Sequence, residues 1–174
     1  MNAKNKVKDD EARIGQYMIV GMWVVVLAIG TLLINQYLEQ QHNPNNQVVT
    51  SIDGDKRSIS LQRGRYGHYR VTGTINGAEA DFLVDTGATS VSIPEEVAYR
   101  AGMEYGSKIT ISTANGTRVA YRTVIDSLRI GDLEVQNATA HINPGLSGEV
   151  LLGMSVLKHY ELSQKGDQLV IREP

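Results

Sequence analysis

Cysteine is absent from this 174-residue chain, and phenylalanine and tryptophan occur once each. Without thiols there is no disulfide, no thiolate nucleophile and no cysteine-ligated metal. That absence leaves the compartment open, because a domain with a sufficient core needs no bridges outside the cytosol either. Positive charge is not in surplus: 17 Lys and Arg against 19 Asp and Glu give a formal net charge of −2. Nucleic-acid binding, which calls for a concentrated basic patch, is therefore not expected. The four histidines, His42, His68, His141 and His159, show no metal-ligand spacing and are expected to face solvent or neighbours. No H-E-x-x-H, G-x-S-x-G or P-loop occurs, so zinc proteolysis, serine hydrolysis and nucleotide chemistry lack support, and no metal or cofactor is expected. Asn115-Gly-Thr and Asn137-Ala-Thr match the N-glycosylation pattern, which has meaning only in a eukaryotic source. No internal repeat is visible.

What is present begins with one long apolar run. Tyr17 to Ile34, "YMIVGMWVVVLAIGTLLI", carries no charge. As a helix it would cover roughly 27 Å, close to the ~30 Å hydrocarbon core of a bilayer. Tyr17 and Trp23 lie toward one end and Tyr37 just beyond the other, as an aromatic belt requires. A cleaved signal peptide is the rival reading, with Ala28-Ile29-Gly30 as a small-x-small site, but "TLLI" continues the apolar run past it. The expectation is a transmembrane helix over 17–34 after a cytoplasmic segment, 1–16. Lys4, Lys6, Lys8 and Arg13 precede the span and no Lys or Arg follows until Lys56. By the positive-inside rule the N-terminus is then cytoplasmic and the remainder lies across the membrane.

Residues 35–63 read as a polar stalk. "NQYLEQQHNPNNQ" is almost wholly polar, and "TSIDGDKRS" is charged and rich in turn formers. Within it, "VVTSI" and "SISLQ" are candidates for short strands. From residue 64 onward the pattern is β. "HYRVTGTI" and "AEADFLV" are separated by Asn76-Gly77, the strongest two-residue hairpin signal. "KITISTA" and "TRVAYRTVI" are separated by Asn115-Gly116, and two further turns fall at Gly131-Asp132 and Lys165-Gly166-Asp167. Helix is scarce: "PEEVAYRA", opened by Pro94 and closed by Gly102, and a turn or two at "MSVLKHY". Short strands in this number over residues 64–174 imply a compact, mainly β fold, a barrel or orthogonally packed sheets, with edges that must be covered.

One residue breaks the pattern. Asp85 directly follows Phe82-Leu83-Val84, where the chain is going inside, and a lone buried carboxylate is costly. Asp, Thr and Gly are all turn formers, so Asp85-Thr86-Gly87 can be an ordinary Asx turn. The wider context favours chemistry. "FLVDTGA" at 82–88, the "TANG" turn at 113–116 and "LLGMS" at 151–155 together resemble the single-lobed, retropepsin-like aspartic proteases, and in particular bacterial membrane-anchored members.

The resemblance covers about residues 65–174 and implies a peptide hydrolase with a retropepsin-like barrel. Asp85, Thr86 and Gly87 would be catalytic. Ala114, Asn115, Gly116 and Thr117 would belong to a flap over the substrate. Ala88, Leu151, Leu152 and Gly153 would support the site, with "VLLG" passing beneath the catalytic loop. In these enzymes two carboxylates share one proton and activate a water between them. Thr86 would brace the two catalytic loops and Gly87 would allow the tight turn. Only one Asp-Thr-Gly occurs in this chain. The second carboxylate must then come from another copy, so a C2 homodimer is expected, with polypeptide as substrate. The expected whole is a homodimeric aspartic endopeptidase in the bacterial inner membrane, its protease domain extracytoplasmic. The alternative is a membrane-tethered module of the same fold that binds peptide strands without cleaving them.

Overall fold

The computed structural model describes residues 3–113 and 116–174, with side chains from residue 15 onward. The chain divides into two compact units, Met1–Glu39 and Gln40–Pro174. A helix, α1, runs from Ala3 to His42. Its stretch Gly15–His42 is long and apolar enough to cross a membrane, a property that a signal sequence shares.

Among the described residues, eleven strands and two short helices follow. They are β1 (Thr50–Asp53), β2 (Lys56–Gln62), β3 (Arg70–Ile75), β4 (Ala78–Val84), β5 (Val91–Pro94), α2 (Glu95–Arg100), β6 (Lys108–Thr113) and β7 (Gly116–Ile130), then β8 (Leu133–Asn143), β9 (Val150–Leu152), α3 (Met154–Leu157), β10 (Glu161–Lys165) and β11 (Gln168–Arg172). One sheet has the order β3-β4-β9-β5-β8-β7-β6. Strand β3 also pairs with β7, through Thr74↔Arg129 and Ile75↔Leu128. That pairing closes six strands into a barrel and leaves β6 outside it, attached among the described residues to β7 alone. Inside, Val71, Phe82, Val91, Ile93, Ile125, Ile142, Val150 and Leu152 are almost completely buried. Their burial is the main driving force for closure, at about 1.5–3 kcal/mol for each large apolar side chain.

The expected hairpins form where the turn residues permit. Asn76 and Gly77 take φ of 49° and 83°, as a type I′ turn between β3 and β4 demands. Gly131-Asp132 joins β7 to β8, and Gly166-Asp167 joins β10 to β11.

The stalk expected over 35–63 takes a different form. Its first residues continue α1 to His42, and residues 50–62 are strands β1 and β2. Together with β10 and β11 they make a second, antiparallel sheet of order β1-β2-β11-β10. Ile59 and Leu61 are 1% and 0% exposed, paired with Ile171 and Leu169. The intervening turn is fixed by amide chemistry. Asn45 is buried, its side-chain amide donates to the Gln62 and Arg70 carbonyls, and its oxygen accepts from the Gln62 N–H at 2.7 Å. Asn43, also buried, donates to Thr72 Oγ1 and Asp81 Oδ1. The polar run thus serves as a bracket for β2, β3 and β4.

Candidate active site

Asp85 stands at the end of a doubly supported strand. Strand β4 pairs in parallel with β9 through Phe82↔Val150, Leu83↔Leu151 and Val84↔Leu152. The Asp85 N–H extends that ladder by donating to the Leu152 carbonyl at 3.1 Å. The chain then turns: the Gly87 N–H donates to Asp85 Oδ1 at 2.9 Å, and the Ala88 N–H to the Asp85 carbonyl at 3.2 Å. The carboxylate is half-buried, while Thr86 and Gly87 are exposed. Such a loop holds the acid in one orientation and leaves its outer side open.

Beneath the loop, Gly153 ends β9 and opens α3. The Met154 N–H donates to the Ala88 carbonyl at 2.8 Å, and the Val91 N–H reaches Ser155 Oγ at 3.2 Å. Ser155 Oγ in turn donates to the Thr139 carbonyl on β8. Of the four expected supporting residues, Leu152 and Ala88 bond to Asp85 through the backbone, Leu151 pairs with Leu83 on the same strand, and Gly153 lies against the Ala88 and Ser90 carbonyls.

The expected flap is divided. Ala114 and Asn115 lie outside the described residues. On either side of them, β6 and β7 pair from Lys108↔Tyr121 to Thr113↔Gly116, with Thr117 opposite Ser112. Thr113 Oγ1 donates to the Gly116 carbonyl at 2.7 Å, and Gly116 has φ of 95°, in the region that favours glycine. Side chains of β6 alternate, Ile109, Ile111 and Thr113 half-buried and Lys108, Thr110 and Ser112 exposed. The hairpin projects from the barrel because β6 has no other strand partner among the described residues.

Three polar residues of the site region escaped the sequence reasoning. Ser90, in the loop after Asp85, meets His141 Nδ1 at 2.9 Å. Burial pushes the His141 imidazole below its ordinary pKa, so it favours the neutral form. Ser92 on β5 is 3% exposed, and its hydroxyl has no partner. Their only sequence signal was the substitution of polar residues into apolar strand patterns. Further along, Arg70 Nε donates to Glu149 Oε1, the residue before β9, and His42 Nε2 meets the same oxygen at 3.0 Å. Among the described residues no group of three or more His, Asp or Glu could hold a metal.

A closed single-lobe barrel with Asp-Thr-Gly at the end of one strand, braced by an apolar-apolar-Gly strand below, defines a retropepsin-like aspartic-protease fold. The chain belongs to the retropepsin-like aspartic proteases: residues 71–159 match the family model described as gag-polyprotein putative aspartyl protease. A retropepsin-like aspartic protease from Rickettsia conorii has a similar crystal structure, with 26% identity and a TM-score of 0.58 over 73% of this chain and 94% of that one. An uncharacterized protein from the cobV 5′ region of a Sinorhizobium species is 30% identical over 131 residues, covering 72% of this chain and 56% of its own length. An uncharacterized protein of Rickettsia prowazekii is 26% identical over 153 residues, covering 82% and 64%. This chain thus spans little more than half the length of these two relatives.

Proposed function

We propose that the chain is a membrane-anchored aspartic endopeptidase that works as a homodimer, with one Asp85 from each copy in a shared site. The observation that carries this reading is the setting of Asp85: one oxygen is held by the Gly87 N–H, the loop is exposed at Thr86, and no second Asp-Thr-Gly exists in the chain. Two copies related by a twofold axis bring two carboxylates within hydrogen-bond reach. One carboxylate takes a proton from water as the water oxygen adds to the scissile carbonyl carbon. The other, protonated, donates to the carbonyl oxygen and stabilises the charge that develops there. Transfer of a proton to the nitrogen then releases the amine and a carboxylic acid.

The β6–β7 hairpin is the flap that closes on the peptide and excludes water during this step. Thr86 links the two catalytic loops across the axis. The apolar part of α1 is the anchor, and its flanking charges support an N-in orientation with the barrel on the far side. Anchoring in one membrane raises the effective concentration of the halves and so favours pairing. Incubation of the full-length protein in detergent with an unfolded protein tests the activity. Fragments are expected from the wild type and none from Asp85→Asn. Equal fragmentation by both would defeat the reading.

A further inference from the structure

The proposed chemistry leaves a set of polar groups on Asp85's face of the sheet unused. Side chains alternate across a sheet, and on one face of this one Phe82, Val150, Val91, Ile93, Ala140 and Ile142 fill the barrel. On the opposite face a single row crosses the strands in register: Leu83 on β4, Leu151 on β9, Ser92 on β5 and His141 on β8. Asp85 lies two residues beyond Leu83 on a ladder that its own N–H continues, so it emerges on the face of that row. The row therefore lies on the face from which Asp85 emerges. Its first half is apolar and its second half is not.

The Ser92 hydroxyl is buried without a partner, which costs stability that a valine or alanine would not. His141 uses Nδ1 on Ser90, and its Nε2 has no protein partner among the described residues. Arg122, the register partner of His141 on β7, is exposed and forms no ion pair among the described residues. The free Nε2 of a half-buried imidazole, oriented by Ser90 on the face of Asp85, fits a ligand that pairs it.

We propose that the Ser90–His141 pair determines specificity by receiving a side chain of the bound peptide that carries an oxygen acceptor, a carboxamide or carboxylate. The proposal rests on the peptidase reading and deepens it. When the Ser90 hydroxyl donates to Nδ1, the neutral imidazole carries its proton on Nε2 and offers it to that oxygen. The carboxylate and carboxamide sources differ in whether Arg122 adds to the bond.

The test uses one cleavable peptide in which Gln, Glu and Met, three side chains of similar length, are placed in turn at each position flanking the scissile bond. At one position the wild type should prefer Gln or Glu over Met by about tenfold in kcat/KM, the effect of one well-formed hydrogen bond in a site built for it. His141→Leu should bring that ratio near one, and Ser90→Ala should reduce it, which covers the case in which His141→Leu does not fold. A preference for Glu over Gln that Arg122→Gln abolishes identifies the carboxylate as the better ligand. Ratios unchanged in both pocket variants would overturn the proposal while leaving catalysis intact. If the wild type cleaves no peptide, yet Asp85→Asn protein still retains Gln or Glu peptides over Met from the same mixture, the pocket stands and the catalytic reading falls.

Discussion

Gly153 and Ser90 are in backbone contact: a Cβ on Gly153 would stand 2.4 Å from the Ser90 carbonyl oxygen and 2.8 Å from that of Ala88. No real side chain tolerates such a separation, and neither neighbour is a flexible side-chain end that could move away. Gly153→Ala must therefore push β9 and α3 off the catalytic loop. Overpacking of this kind costs about 1–3 kcal/mol, and the Met154–Ala88 hydrogen bond goes with it. The variant should lose roughly that much stability in urea unfolding, and its proteolytic rate should fall by more than a hundredfold. Wild-type activity in Gly153→Ala would mean that the contact does not govern the loop.

The bracket at Asn45 gives a second expectation. Asn45→Ala leaves the buried Arg70 carbonyl without its partner and removes two part-buried bonds to the Gln62 backbone, at about 1–3 kcal/mol, most of it from the buried carbonyl. Asn46, its exposed neighbour, serves as the control. Denaturant midpoints should drop clearly for Asn45→Ala and stay within error for Asn46→Ala. Equal, small effects would return this segment to the status of a loose tether.

These two sites show where the sequence could be read and where it could not. Asp85 was legible because an acid after three apolar strand residues contradicts local burial, and Gly153 because "VLLG" recurs in a known order. The β3–β4 hairpin was legible because Asn76-Gly77 adopts φ values that few residues tolerate. Asn43 and Asn45 were not, since buried amides bonded to distant backbone have no periodicity and look like any polar linker. Strand β2 offered only the alternation of Ile59 and Leu61 in "SISLQ", too short to outweigh its polar surroundings. The meeting of Ser90 with His141, 51 residues on, depends on the parallel pairing of β5 with β8. Long-range register of that kind leaves no mark in either segment alone.

His141 also predicts a pH dependence. Burial holds its folded pKa below the ordinary imidazole value, so between the two values the unfolded chain binds the proton and the folded chain resists it. Its contribution is intact above about pH 6.5, the unfolded value, and stability is lost as pH falls below that. Unfolding free energy measured from about pH 7.5 to about pH 5 should decline more steeply for the wild type than for His141→Gln. Parallel curves would show that His141 titrates as it would in water.

The flap assignment rests on Gly116. At φ of 95° a β-branched residue is strained by about 1–3 kcal/mol, although the position is otherwise open. Because the hairpin stands clear of the barrel, Gly116→Val should cost little global stability but reduce peptide turnover at least tenfold. Stopped-flow turnover beside thermal unfolding separates the two. Full turnover in the variant would remove the hairpin from the reaction.

The most direct test of the shared site is co-assembly. Asn is nearly isosteric with Asp, so Asp85→Asn chains should fold and pair with wild-type chains, yet a mixed pair has one carboxylate where the reaction needs two. Wild-type and Asp85→Asn proteins are unfolded together, refolded at fixed total concentration over a series of ratios, and assayed on one peptide. Random pairing makes the fraction of dimers with two acids equal to the square of the wild-type fraction, about one quarter at an equal mixture. The account predicts that activity follows this square. Activity that falls along a straight line, to one half at the equal mixture, would mean that each chain works alone and would contradict it.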